Sequence, residues 1–491
     1  MFGKMARRAA ATLLMIALCA GLLPFAAGAE ALGEYNEEDL RTEYDEAAAT
    51  ALDLGSVQED TYTISEGGVY VLTGSYAGQL IVEAGKEEVV RLVFEGVSIA
   101  SALGPAVYIQ QAEKVVITLA EGTQNALSGG PEDASDEENA NAALYSKEDL
   151  SINGAGSLRV AAAETHGIAS NDDLILAGGA IDIEADRDGI KGRDSVRIYS
   201  GEIAIRSGED GIVSDNDEGA DKGYIVVDGG ALNITAANDG MQAETALQIN
   251  GGDIQIASGG GSAGAATASG AGMQARGGFP GQEAVESEQD VESAKGIKAG
   301  SAIEINAGTL GVDSKDDAIH SNGSVAILAG TFSISSGDDA IHADGDATVE
   351  GGAFDIPTCY EGIEGATVSI RGGEFAITSC DDGVNAAGGA DGSGVSGFGG
   401  MDEFAANPNY YVVVDGGALT INSQGDCIDS NGDVTVNGGT LNLTCGGNGN
   451  TALDANGTFT NNGGSIATND GSENGTGIMG GRMGMPGGMR R

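Results

Sequence analysis

Apolar residues alternate with small or polar ones in short runs along most of this chain. Residues 324–328, 331–335 and 340–343 each read apolar, polar, apolar, the two-residue period of a half-buried strand. Between the runs stand Gly, Asn, Asp and Ser, the residues of tight turns. A glycine precedes one run of each set, at 179, 201, 230, 252, 308, 330, 352, 373, 417, 439 and 464. The steps are 22, 29, 22, 56, 22, 22, 21, 44, 22 and 25, so the base period is 22 with insertions. Three short strands and three turns in about 22 residues cannot close a sheet by hairpins, but they can wind once around a triangular coil and pair with the next turn. The pattern predicts an all-β chain folded as a parallel β-helix solenoid, with Ile319, Ile341 and Ile363 stacked inside the tube. The segments beginning at Tyr62 and Val115 read as less regular rungs of the same coil. No part of the repeat has the 3.6-residue period of a helical solenoid, and the period is too long for a nine-residue calcium-binding β-roll.

The departures from the period divide the chain. Residues 1–29 carry Lys4, Arg7 and Arg8, an apolar run from 9 to 27 and an Ala27-Gly28-Ala29 cleavage site, which together predict a secretory signal peptide. Cys19 offers a lipoprotein alternative, although Leu18 before it and the apolar run beyond it fit that poorly. No later stretch approaches the ~20 apolar residues of a membrane span. The expected mature protein is therefore secreted, without membrane insertion, and is read as a monomer. Residues 30–55 form an acidic, Ala-rich leader with the character of a capping helix, 56–470 the β-helix, and 471–491 a Gly/Met-rich disordered tail. Insertions at 214–223, 258–294 and 388–408 are expected on one side of the rung, near the Asp-Gly-Ile corner, where solenoids often place a binding face or simply tolerate loops.

Charge narrows the partners. Lys plus Arg is 23 against 74 for Asp plus Glu, a net −51 that becomes −54 once the three basic residues of the signal are removed. Such acidity excludes nucleic acid and an anionic membrane surface as partners. Glycine at 83 of 491 residues has no every-third-residue rule, so the chain is not collagen.

The chemistry gathers at one corner. With the rungs aligned on the core Ile, Asp188, Asp210, Asp239, Asp317, Asp339, Glu361, Asp382 and Asp426 fall in one column, and Asp316, Asp338 and Asp381 precede it in three rungs. Carboxylates stacked about 4.8 Å apart repel by about 3–4 kcal/mol at an effective dielectric near 20. Such a run calls for a cation or for raised pKa values. Ca²⁺, which takes six to eight oxygens, is the expected cofactor. Aspartate in turns also caps backbone N–H groups, which accounts for single aspartates better than for the doubled ones. No zinc-like Cys or His spacing is present.

One residue past the core Ile, a second column reads Lys191, Val213, Gln242, Lys298, His320, His342, Glu364, Asn385 and Asp429. Alternation points it outward. Lys298, His320, His342 and Glu364, with Tyr360 nearby, are the candidate glycan contacts; an ordinary solvated face is the plain alternative. Cys359 and Cys380 align in adjacent rungs, as a disulfide or as free thiols.

Assembled, these residues resemble the secreted bacterial carbohydrate-binding β-helix proteins that bind cellulose and polygalacturonate and carry calcium. The matching segments begin at Gly96, Lys295, Asp316, Ser335, Tyr360 and Cys380, and the resemblance covers roughly residues 56–470. It implies a pectate-lyase-like, right-handed coil with a binding role rather than a cleaving one. Where that family usually has Ser, this chain has Cys359. Three function classes follow: a non-catalytic, calcium-assisted polysaccharide binder; a calcium-dependent lyase, for which Lys191, Lys222 and Lys298 are the plausible bases; and a structural or adhesive surface protein. Absence of Trp weighs against a binder of crystalline cellulose, since flat aromatic rings are the usual sugar platforms; Tyr360, Tyr410 and Tyr411 are the substitutes.

Overall fold

The computed structural model describes residues 32–102, 104–130, 140–264, 293–387, 406–447 and 449–474. The signal peptide, most of the 258–294 and 388–408 insertions and most of the C-terminal tail lie outside the described residues. The rest is a parallel β-solenoid. Each strand pairs in parallel with the equivalent strand one coil further on, which generates three faces, called sheets A, B and C, joined into one continuous sheet where a long strand turns a corner. Sheet A includes Asp149–Gly154, Ser195–Ile198, Ser324–Ile327 and Tyr411–Val414. Sheet B includes Ser157–Ala162, Glu202–Ser207, Thr331–Ser336 and Ala418–Ser423. Sheet C has the shortest strands, among them Ile190–Gly192, Ile319–Ser321 and Val384–Ala386. The early rungs are indeed less regular: the twelve-residue strand Val89–Ala100 pairs with strands of both sheet A and sheet B.

The stacking follows the 22-residue register. Ile319 pairs with Ile341, and Ile341 with Ile363, all fully buried. In sheet B, Phe332, Phe354 and Phe375 stack face to face with centroids 4.5 Å apart and rings within 2° of parallel. That geometry is imposed by the backbone repeat, since isolated aromatic pairs favour offset or edge contacts. The repeat glycines from 179 to 439 turn the chain from sheet A into sheet B at φ between +88° and +141°, a region that a Cβ disfavours.

The leader is not the helix that its composition suggests. It holds a single four-residue turn, α1 (Glu37–Leu40), capped reciprocally by Asn36 and Asp39. The segment lies along the outside of sheet A as a strap, and Thr50–Asp53 then joins the solenoid by pairing with Gly68–Tyr76. The strap explains why outward positions on the early sheet A strands are buried. Asp39 is 1% exposed and accepts from Ser151 Oγ at 2.6 Å while ion-pairing with Lys114. Arg91 reaches Glu38 at 3.0 Å and the Arg41 carbonyl at 2.8 Å, and Arg197 holds the Glu34 carbonyl. Cationic side chains thus meet a segment of acid side chains and strand-like carbonyls, the only arrangement in which they can be buried at tolerable cost.

The insertions leave the coil at two corners rather than one. Residues 214–223 and 388–408 fall between a sheet C strand and a sheet A strand, whereas 258–294 falls between a sheet B strand and a sheet C strand. We predict that Asp39→Ala, which leaves Lys114 buried without its partner, costs the strap about 3 kcal/mol or more. Limited proteolysis should then cut between residues 32 and 49 much faster than in the parent, with the rest of the coil protected.

Candidate functional site: the acidic corner

The turn from sheet B to sheet C is the acidic corner, and its first property is structural. Each aspartate accepts the backbone N–H of the corresponding residue on the next rung. Asp188 Oδ1 accepts from Asp210 N at 3.1 Å, Asp210 from Asp239 N at 2.8 Å and Asp239 from Lys295 N at 2.7 Å. The series continues from Asp317 to Asp339 N at 2.9 Å, Asp339 to Glu361 N at 3.0 Å and Asp382 to Asp426 N at 2.7 Å. His166 opens the ladder by accepting from Asp188 N at 3.1 Å. A corner residue has left its strand, so its N–H needs another acceptor, and the short Asp side chain spans one rung spacing. Buried serines form a companion ladder: Ser314, Ser336 and Ser379 donate to the carbonyls of Asp316, Asp338 and Asp381 at 2.7–3.0 Å.

Two residues interrupt the aspartates. Lys295 occupies the column position between Asp239 and Asp317, which a column read by its carboxylates passes over. Its ammonium lies 2.9 Å from Asp317 and 3.1 Å from Asp316, a fixed cation inside the column. Glu361 is the second interruption, because its longer side chain accepts from Asn385 Nδ2 at 2.9 Å.

The column one residue past the core Ile is continuous in register, Lys298 to His320 to His342 to Glu364 to Asn385. It also extends backwards through Lys191 and Ala169 to Tyr145 and Tyr108, which the sequence reading did not include. It is not the open polar stripe expected. His320 and His342 are 3% and 2% exposed, their rings stacked at 4.7 Å. Both turn Nδ1 toward a column carboxylate: His320 to Asp317 at 2.8 Å, His342 to Asp339 at 3.1 Å and to Glu364 at 2.8 Å. Their ladder partners hold them against the corner, and Asn322 and Asp344 take the other ring nitrogens at 2.9 and 3.2 Å. Lys298 keeps a partly exposed ammonium 3.5 Å from Asp239, and Tyr360 donates its hydroxyl to Asp381 at 2.7 Å.

Charge compensation therefore changes along the corner. Burial alone would raise the Asp317 carboxyl, but the His320 hydrogen bond and the Lys295 charge hold it well below the usual range. Burial opposes the charge on His342, yet its bonds to Asp339 and Glu364 push it up to about 12. Beyond it the carboxylates outnumber the cations. Glu361 is raised by burial and by Glu364; Asp382, by burial and by Asp381, Asp429 and Asp426, to about 8. Asp210, buried between Asp239 and Asp188, is raised to about 7.

A divalent cation fits this corner unevenly. At Asp316 and Asp317 the Lys295 ammonium already supplies the positive charge. At the Glu361–Asp382 end the donor set is hard oxygen, which suits Ca²⁺. There the Asn385 Oδ1 is buried without a hydrogen-bond partner among the described residues. A buried acceptor left unpaired costs free energy, and a cation would satisfy it.

Of the two alternatives for Cys359 and Cys380 the structure has the free thiols, with their alignment one residue out. Cys359 pairs in register with Ser379, one position short of Cys380, because the strand Ala353–Cys359 carries a bulge. Both are free thiols, as are Cys427 and Cys445.

A parallel β-solenoid with a carboxylate ladder at one corner is the class that fold and site define. The chain belongs to the carbohydrate-binding domain family, which it matches over residues 58–340, 321–397 and 338–483. A relative from Acetivibrio thermocellus, named a carbohydrate-binding domain-containing protein, is 38% identical over 146 residues, 29% of this chain and 51% of the relative, so the match spans about half of that protein. A solved structure of a polysaccharide lyase-like protein from C. thermocellum, in a gadolinium derivative, is 36% identical with a TM-score of 0.41, covering 43% of this chain and 92% of that one.

The ladder and the charge can be separated at Asp210. We predict that Asp210→Asn, which keeps the acceptor for Asp239 N–H, leaves thermal stability at pH 8 equal to or above the parent's. Asp210→Ala, which orphans that N–H, should cost about 1–3 kcal/mol, read as a lower denaturation midpoint.

Proposed function

We propose that this protein is a secreted, non-catalytic polysaccharide-binding solenoid whose acidic corner carries Ca²⁺ and recognises acidic wall-type glycans through it. The observation that carries the binding reading is membership of the carbohydrate-binding domain family along almost the whole coil. In support of calcium stands the unpaired Asn385 carbonyl beside Glu361. Asp382 and Asn385, with Asp426 and Asp429 on the next rung, would hold the ion; the carboxylate oxygens of Asp426, Asp429 and Asp454 lie within 4.8 Å of one another. Bound there, it would reverse the local sign in a protein of net charge −51 and let a sugar carboxylate approach. Of the candidate glycan contacts, Lys298, Glu364 and Tyr360 are left partly accessible.

The non-catalytic reading is supported by the state of the lysines. A lyase base must be unprotonated to remove the proton next to a uronate carboxylate. Lys191 lies 2.6 Å from Asp215, Lys222 2.8 Å from Asp194, and Lys298 3.5 Å from Asp239. For Lys222 the Asp194 hydrogen bond leads an upward shift, which favours the charged ammonium. Incubation with polygalacturonate should release no unsaturated oligosaccharide; steady release abolished by Lys298→Ala or Lys191→Ala would overturn this part.

Calcium has a pH signature. Asp382 has a folded pKa of about 8 against about 3.9 unfolded. A raised carboxyl contributes stability that is complete below the unfolded value and lost as pH rises through the folded one. In chelator, the melting temperature should therefore fall between about pH 4 and 8. Ca²⁺ should restore it, more at pH 8 than at pH 5, because the ion favours the charged form and binds only the folded column. Chelation should release bound polygalacturonate at the same time. Asp382→Asn with Asn385→Ala should abolish both effects; calcium binding and glycan retention equal to the parent's would place the ion elsewhere.

A further inference from the structure

The acidic corner is not the largest concave surface. A groove of about 830 Å³ runs along the outer face of sheet B, and a second of about 340 Å³ continues it, the two sharing Asn233 and Gln255. Together they cross nine consecutive strands, from Val89–Ala100 to Thr331–Ser336. At about 4.8 Å per strand that is a straight channel of roughly 40 Å. Its axis is the solenoid axis, and the rung spacing is close to the rise of one sugar along an extended polysaccharide.

The floor of its later half is one register column: Ala204, Asn233, Gln255, Gly311 and Ser333. Alternation turns these residues outward, and their small volume makes the face concave. At Gly311 a Cβ would stand 2.1 Å from the Gln255 Oε1 that lies over it, so a larger residue there would displace the Gln255 amide. In a chain with 97 charged residues, these five positions carry none, although the same register continues to Asp182 and Arg159 in the earlier half. Charges in the earlier half pair across rungs, Arg159 with Glu184 at 3.2 Å and Arg206 with Asp182 at 3.6 Å. The rim adds Glu202, Asp253 and Asp313, which repel an anionic chain. Asn and Gln amides present a donor beside an acceptor, the pattern that matches neighbouring sugar hydroxyls.

We infer that the sheet B groove binds a linear, neutral polysaccharide of the glucan type lengthwise, as a second site separate from the acidic corner and independent of calcium. The inference rests on the carbohydrate-binding reading and names a site and a ligand class for it. Isothermal titration with cellohexaose and with polygalacturonate, each in Ca²⁺ and in chelator, tests it on the parent, on Asn233→Ala with Gln255→Ala, and on Ala204→Arg. Both changes are at outward positions, and circular-dichroism melts check folding. The parent should bind cellohexaose equally with and without chelator. Each variant should bind it at least tenfold more weakly while retaining polygalacturonate. Unchanged cellohexaose affinity in both folded variants would overturn the groove. Binding of polygalacturonate alone would overturn the groove and leave the carbohydrate-binding reading standing, whereas a parent that binds neither would remove that reading and the groove with it.

Discussion

In-register stacking at one strand spacing governs this molecule. A residue on one rung lies directly over its counterpart on the next, so every property of a side chain is repeated or opposed at about 4.8 Å. For Ile319, Ile341 and Ile363 repetition is favourable, because like apolar groups bury one another. For carboxylates it is unfavourable, and the structure contains a specific answer for each stretch of the column. Asp side chains take the backbone N–H of the next rung, Lys295 supplies a fixed charge, and His320 and His342 turn inward to meet Asp317 and Asp339.

Those answers make compensation local. Around Lys295, His320 and His342 the acids are bonded to Lys and His; at Asp210 on one side and toward Glu361 and Asp382 on the other they face one another. The same stacking that creates the excess negative charge also creates the concentration of oxygen ligands, so a cation site and a destabilised column are two aspects of one arrangement. The buried, unpaired Asn385 carbonyl falls in the uncompensated stretch toward Asp382, not in the stretch served by Lys295.

Constant register also makes the outer surfaces linear. The strap covers the early part of sheet A through Arg91, Lys114 and Arg197, and among the described residues sheet B is left as a long open face. Where its outward residues are small or amide-bearing, the face becomes a groove parallel to the coil. A repeating scaffold and a repeating polymer then share one axis, an arrangement that single-pocket folds do not offer.

The 22-residue period was legible without coordinates because glycine at the sheet A to sheet B turn and alternation within the strands are local requirements of backbone geometry. The same reading placed the acid column, since every rung with an uninterrupted step counts forward correctly. It failed where a column changes residue type or a strand carries a bulge. Lys295 is not an acid, so a column read by its carboxylates omits it although Lys298 on the same rung is in place, and the bulge before Cys359 moved that residue into register with Ser379 rather than Cys380. It failed also where burial comes from segments distant in sequence: the leader shields Lys114 and Arg197, and rung-to-rung contacts bury His320 and His342 on a face that alternation assigns to solvent. Sequence by itself determined the coil and its register, because these follow from period and turn chemistry. Only the tertiary structure decided which carboxylates are compensated, which outward faces are covered and where a groove remains, because those depend on what packs over each rung.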